Sequence, residues 1–285
     1  MAAVQSARIK KRIHPLSLFL RALVIAAAVM TIGVLLFLIA YILIRGIPNL
    51  KPELFAWQYS TENVSMLPAL INTVIMTVLT LLFAIPVGVA AAIYLVEYAK
   101  RGNRLVSAVR LTTETLAGIP SIVYGLFGFL FFFMKLDWGY SMLGGSLTLA
   151  IMILPLIMRT TEEALLAVPD AYREGSFGLG AGRLRTVFSI ILPSAMPGIL
   201  AGVILGIGRI VGETAALIYP AGTAAVVPSS LMESGRTLAV HMYALTSEGL
   251  YMEESYATAV VLLLLVVGLN ALSAFAARRL TRRRG

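Results

Sequence analysis

Three charged residues stand where charge is costly. Arg209 and Glu213 lie four residues apart within one long apolar stretch, and Arg159 lies within another. An arginine at such depth costs several kcal/mol unless it faces a bundle interior and finds a partner, about 2.5–3.5 kcal/mol on insertion scales. Its planar fork of donors matches the oxygens of a phosphate or carboxylate. Four residues is about one helical turn, so Glu213 can pair with Arg209 if the helix continues between them. Two readings stand for that pair. It is either a structural ion pair that pins helices, or an arginine held ready for an oxyanion by a counter-charge that prevents overtight binding. Arg159 likewise reads either as an oxyanion ligand or as a boundary residue that snorkels toward the interface.

Other chemistries lack their residues. The chain has no cysteine, which removes disulfides, thiolate metal sites and a thiol nucleophile. His14 and His241 are isolated from other metal-ligating types. No GxxxxGK(S/T) phosphate loop and no serine–histidine–aspartate arrangement can be drawn, so neither nucleotide hydrolysis nor acyl transfer has support. Glu114 follows Thr112 and Thr113 and reads as a helix-start charge rather than a proton carrier.

The elements that position these residues are helices in lipid. Of 285 residues, 59% are hydrophobic and 13% charged, with a mean hydropathy of +0.90. A water-soluble fold has nowhere to hide that much apolar surface. Six spans long enough for a bilayer are expected at 16–44, 68–96, 111–134, 146–168, 197–219 and 256–277. Arg209 then falls near the middle of the fifth, and Arg159 toward the inner end of the fourth. Pro86, Pro120 and Pro155 read as kinks inside spans. Gly198, Gly202 and Gly206 repeat every four residues, continued by Gly208 and Gly212, as a ridge that admits a neighbouring helix.

Charge between the spans fixes orientation. The segments 1–21, 100–110, 159–185 and 278–284 hold 18 of the 23 lysines and arginines, and all fall on one side. By the positive-inside rule both termini are cytoplasmic. The net charge of +9 therefore reports membrane orientation, and nucleic acid is not an expected partner. The run at 16–44 is too long for a cleaved signal peptide and reads as a retained helix. Trp57, Tyr59, Trp138 and Tyr140 fall in outer loops as interface anchors. The outer segment 220–254 is expected to hold a short helix near 238–245.

One inner loop has its own design. From Val168 it reads VPDAYREGSFGLGAGRLRTVFSIILPSAMPG. Pro169 and Asp170 suit a first helical turn. The helix at 171–179 is expected to end at Gly178 and Gly180 through a positive φ. A second helix, 183–192, is expected to stop at Pro193. Two readings stand here also: a lever that a partner grips, or a basic amphipathic loop lying on lipid.

The loop resembles the coupling loop of ATP-driven importer permeases, of pattern E-A-A-x3-G-x9-I-x-L-P. Glu174, Gly175, Ser176, Gly180, Ile190, Leu192 and Pro193 keep every spacing, with Gly175 and Ser176 in place of the two alanines. TETLAGIPSIVYGLFG from Thr113, MRTTEEALLAVP from Met158 and GRIVGETAALIYPAG from Gly208 resemble the permeases of the high-affinity phosphate importer, A-type more than C-type. The likeness runs from about residue 68 to the end.

That resemblance implies an all-α integral membrane fold with an importer (MetI-like) permease core. It divides the chain into a first helix and outer loop (1–67) and a five-helix core (68–285) with its coupling loop at 168–193. It also implies that Arg159 and Arg209 lie on a phosphate path with Glu213. The chain would bind no cofactor, and ATP and Mg would be held by a separate ATPase dimer docked on the loop. The further partners implied are a C-type permease, an extracytoplasmic phosphate-binding protein and the lipid bilayer of a bacterial or archaeal cytoplasmic membrane. Molybdate or sulfate transport is the near alternative. Ion-coupled secondary transport, which needs buried carboxylates, is the remote one.

Overall fold

In a computed structural model, residues 15–100 and 102–282 are described, and no strand occurs among them. The basic start at 8–12, His14 and the last arginines at 283–284 lie outside the described residues. Helix α1 (Pro15–Gly46) leads through two short 3-10 turns into α2 (Leu67–Ile93), which ends in a wide π turn at Tyr94–Tyr98. Then follow α3 (Arg104–Ala117), α4 (Ser121–Gly128) with a π turn at Phe129–Lys135, and α5 (Met142–Leu166). Next come α6 (Asp170–Gly178), α7 (Arg183–Thr186), a π turn at Val187–Ile191 and α8 (Leu192–Val211). The chain closes with α9 (Ala215–Ile218), α10 (Leu238–Glu248) and α11 (Met252–Arg282).

Helix α5 is the centre of the bundle. Two-thirds of its apolar window is buried, more than in any other span. Close approach explains this. A Cβ at Gly88 of α2 would lie 2.8 Å from Ile157 of α5. On α8, a Cβ at Gly198 would strike Ala164, and one at Gly202 would strike Thr160. Gly206 faces Ile157 and Ile153. The ridge expected at four-residue spacing therefore packs on α5. It stops there: Gly208 faces open space and Gly212 caps the helix. Helix α1 is the opposite case. Its apolar window is wholly exposed, and only its far end meets α11, through Tyr41 on Tyr256 and through Gly46 against the Tyr256 backbone.

Among the described residues five continuous helices are long and apolar enough to cross a membrane, and the span expected at 111–134 makes the sixth as a broken one. It is a bent pair, with α3 and the stretch Ser121–Lys135 meeting at 102°. Pro120 lacks the N–H that would continue the helix and biases Ile119 out of the α region. It stands before α4 with an extended ψ of 140° rather than kinking a continuous span.

The second inner helix also differs from expectation. It does not stop at Pro193. It runs from residue 183 through the π turn into α8, and ends at 211. Pro193 directly follows the wider turn at 187–191, whose altered hydrogen bonding lets the helix continue past a residue without an N–H. Among the loop glycines Gly180 takes the positive φ, +81°, while Gly178 stays helical.

The far end of the bundle is capped by residues 220–254, with the expected short helix as α10. Asn72 of α2 donates to the carbonyls of Val226 (2.8 Å) and Arg236 (3.3 Å), and Thr73 accepts from the Leu238 amide at 2.8 Å. Tyr59 is not an interface anchor: its ring stacks under the Arg236 guanidinium (4.8 Å) and meets buried His241 edge-on.

Candidate functional site

The site begins at the close contact of α5 with α8. Because Gly202 meets Thr160, Arg159 lies level with the middle of α8. Arg209 is about six residues beyond that level, hence about 9 Å farther from the α6 end. Both arginines line one cavity of about 370 Å³. Its wall also carries Arg110 and Glu114 of α3, and Glu162 and Glu163 of α5. The bend at Pro120 is what brings α3 across this opening, so the break in the third span builds the site.

The three arginines are held differently. Arg159 donates from Nε to Glu163 Oε1 at 3.0 Å, with both side chains about two-thirds exposed. Arg110 pairs with Glu162. Arg209 makes no ion pair among the described residues, although carboxylates line the same cavity. The expected partnership with Glu213 does not form. The helix ends at Val211, Gly212 caps it, and four-residue spacing no longer means one turn. Glu213 instead turns to the next element and accepts from the Ala216 amide at 3.1 Å, capping α9. Arg209 lies in the last turn of α8 rather than mid-span, where the helix dipole favours a cation. Glu114 is likewise near the end of α3, not at a helix start, and it faces the cavity.

This arrangement can hold a small multivalent anion. Arg209 makes no ion pair among the described residues, and Arg159 can be taken from its weak, exposed partner Glu163, while Arg110 is held by the less exposed Glu162. Exposed pairs of this kind are worth about 0–1 kcal/mol, so exchanging a carboxylate for an entering anion is cheap.

The second region is the loop at the opposite end from α10. Glu174 on α6 is exposed. Added Cβ atoms at Gly175, Gly178, Gly180 and Gly182 would meet nothing within 4 Å. This chain's own packing therefore does not require small residues there, and the surface is left open for another molecule. Ser176 is buried and bonds the Thr186 hydroxyl at 2.8 Å, closing α6 on α7. Ile190 and Leu192 pack on the cluster of Ile93, Leu165, Val187 and Ile191, and Pro193 follows them into α8.

Two features escaped sequence reasoning. Arg110–Glu162 joins residues 52 apart, and Arg173–Glu97 joins residues 76 apart. Each residue taken singly reads as an ordinary boundary charge. The one available signal was the number of charges in MRTTEEALLAVP, too many for a helix facing lipid throughout.

Comparison with known proteins agrees with this architecture. Residues 84–285 match the family described as "Binding-protein-dependent transport system inner membrane component". The chain is 34% identical over 238 residues to the "Probable ABC transporter permease protein YqgI" of Bacillus subtilis (strain 168), covering 76% of this chain and 79% of that protein. It is 39% identical over 154 residues to the "Phosphate transport system permease protein PstA 1" of Mycobacterium tuberculosis (strain CDC 1551 / Oshkosh). That match covers 54% of this chain and 50% of the relative, so the aligned chain spans half the length of that protein. Among solved structures, a bacterial alginate ABC transporter with its periplasmic protein matches with a TM-score of 0.70 at 15% identity, over 93% of this chain and 95% of that one. The MetNI methionine ABC transporter matches with a TM-score of 0.59 at 21% identity, over 76% and 94%. These two likenesses concern the fold.

Proposed function

The chain belongs to the family of inner membrane components of binding-protein-dependent transport systems, and from that premise we propose that it forms half of the translocation path for inorganic phosphate. It is a multi-pass inner membrane protein and a non-catalytic subunit of an importer. In this reading a separate ATPase dimer binds ATP and Mg, a C-type permease supplies the other half of the path, and an extracytoplasmic phosphate-binding protein delivers the anion at the α10 end. The α6 end and both termini face the cytoplasm, in line with the positive-inside bias. Arg209 meets phosphate first and Arg159 next, about 9 Å closer to the cytoplasm by helical rise. Glu174, Gly175, Ser176, Gly180, Ile190, Leu192 and Pro193 form the element that docks on the ATPase.

The observation that carries the reading is the convergence of Arg209 and Arg159 on one cavity with exchangeable counter-charges. The relatives named for phosphate transport supply the choice of anion. The test is uptake into proteoliposomes holding both permeases and the ATPase, with binding protein outside. Labelled phosphate should accumulate only with internal-side ATP, and a hundredfold excess of sulfate or molybdate should not compete. Preferential uptake of either competitor would reassign the substrate to another oxyanion. Uptake without ATP would remove the importer reading itself.

A further inference from the structure

Arg173 uses all of its donors and lies between elements. An arginine offers five N–H donors in a fixed plane. All five have acceptors. Nε and one Nη2 donor reach Glu97 Oε1 at 3.2 and 2.7 Å. The other Nη2 donor reaches the Leu165 carbonyl at 3.0 Å. From Nη1, one donor reaches the Val168 carbonyl at 2.9 Å and the other Asp170 Oδ1 at 3.1 Å. Glu97 is 7% exposed and Arg173 16%, so water competes little for the bonds between them, whereas Asp170 is exposed.

The five bonds join three separate pieces of structure. Arg173 itself is on α6, the helix whose outer surface is open for a partner. Glu97 is in the π turn that ends α2. Leu165 and Val168 lie at the end of α5 and in its link to α6, and the Leu165 carbonyl also accepts from the Val168 amide at 3.3 Å. The opposite end of α2 is fastened as well, by Asn72 and Thr73 to the cap over the α10 end. Thr73 and Glu97 are 24 residues apart, a rod of about 36 Å. A displacement of α6 therefore cannot occur alone. It moves the end of α2, and α2 reaches the cap that covers the outer mouth.

We propose that Arg173, held by Glu97, is the positioning residue that ties the coupling helix α6 to α2, so that ATP-driven movement of α6 is transmitted along α2 to the outer cap. The inference rests on the reading of 168–193 as the ATPase-coupling element. It concerns transmission within this chain, not docking. Lysine cannot replace the arginine, because three donors on a point charge cannot reach three elements in one plane. Glutamine at 97 keeps one acceptor and loses the charge that holds the fork.

The complete complex is reconstituted with wild type, Arg173→Lys, Glu97→Gln and Glu97→Asp, and uptake and ATP hydrolysis are measured in the same vesicles. Arg173→Lys and Glu97→Gln should assemble with the ATPase as wild type does and hydrolyse ATP at no less than half the wild-type rate. Phosphate taken up per ATP should fall at least tenfold. Glu97→Asp, which keeps the charge, should recover most of that ratio. Equal loss of uptake and hydrolysis, failure of the two variants to hold the ATPase, or an unchanged ratio would each overturn the proposal. Failure of the underlying reading looks different: the wild-type chain itself would then take up phosphate without ATP or without an ATPase bound.

Discussion

The cavity and the loop strut use the same chemical groups in opposite ways. Around the cavity, Arg209 lacks an ion pair among the described residues and Arg159 is held by an exposed glutamate one turn away. At the strut, Arg173 spends four of its five donors on partners in the α2 end and the α5 end and the fifth on exposed Asp170 of its own helix. An exposed pair contributes about 0–1 kcal/mol and exchanges readily. Breaking a buried, charge-assisted set strands a group in low dielectric at about 1–3 kcal/mol. The contrast teaches that a charge meant to meet a passing ion is left under-satisfied, while a charge meant to transmit displacement is saturated.

The largest effect expected from this comparison is at Arg209. Arg209→Gln should reduce phosphate uptake roughly 100-fold, the loss of charge-assisted bonds worth about 3 kcal/mol. Thermal stability and assembly should stay within error, because no buried carboxylate is stranded. A variant that unfolds or fails to assemble would show that Arg209 is structural and would break the contrast with Arg173.

The next effect concerns the open glycine surface beside the strut. Gly175→Trp adds a large ring where this chain has nothing within 4 Å. The isolated subunit should be as stable as wild type. Capture of the ATPase should weaken roughly tenfold, since overfilling a fitted surface costs about 1–3 kcal/mol. Quantitative copurification reads the difference. Unaltered capture would place the docking face elsewhere than on α6.

Much of this was legible from local sequence. Long apolar runs gave five of the spans, because hydropathy needs no knowledge of neighbours. The glycine ridge at 198–206 was legible because a four-residue period aligns on one helix face. Arg159 and Arg209 stood out because charge in lipid demands a reason. The failures share a cause. Spacing rules presume that a helix continues, and the chain breaks at Pro120 and Gly212 instead. The first break bends the third span and lays α3 along the wall of a cavity, and the second turned Glu213 from a counter-ion into a cap. Pro193 was misread in the reverse sense, since a π turn lets the helix pass it. The Glu97–Arg173 and Arg110–Glu162 pairs were invisible because nothing local marks two boundary charges 76 or 52 residues apart as neighbours.

A third prediction tests whether the far end of α2 behaves as a fixed anchor. Burial, then the nearby Arg236 charge, lowers the His241 pKa from its ordinary value to about 3. His241 is thus neutral when folded but protonates near pH 6.5 when the cap opens. The open form binds more protons below that pH, so stability falls as pH falls from about 6.5 toward 3 and is level above it. At pH 5 the penalty is about 2 kcal/mol. Amide exchange in α10 should accelerate about 30-fold between pH 7 and pH 5, after correction for intrinsic rates, and His241→Gln should remove that acceleration. Equal acceleration in the variant would assign it to another group.

The smallest expected effect is the sharpest test of the comparison, because it sets like against like. Glu163→Gln and Glu97→Gln make the same substitution beside an arginine. At 163 the pair is about two-thirds exposed and confined to one helix, so its loss should cost about 0–0.5 kcal/mol of stability. At 97 the pair is nearly buried and joins separate elements, so its loss should cost about 1–3 kcal/mol. Function should divide the other way. Without Glu163 an entering anion no longer competes for Arg159, so half-saturation for phosphate should fall a few-fold. The maximal rate should fall with it, because release from a freed arginine is slower. Without Glu97 half-saturation should be unchanged and only the uptake per ATP should drop. Thermal unfolding of both variants, with uptake across a range of phosphate concentrations, reads all of these quantities. A stability loss at 163 as large as that at 97 would mean that the cavity charges also hold the bundle together, and the distinction between exchangeable and saturated arginines would fail.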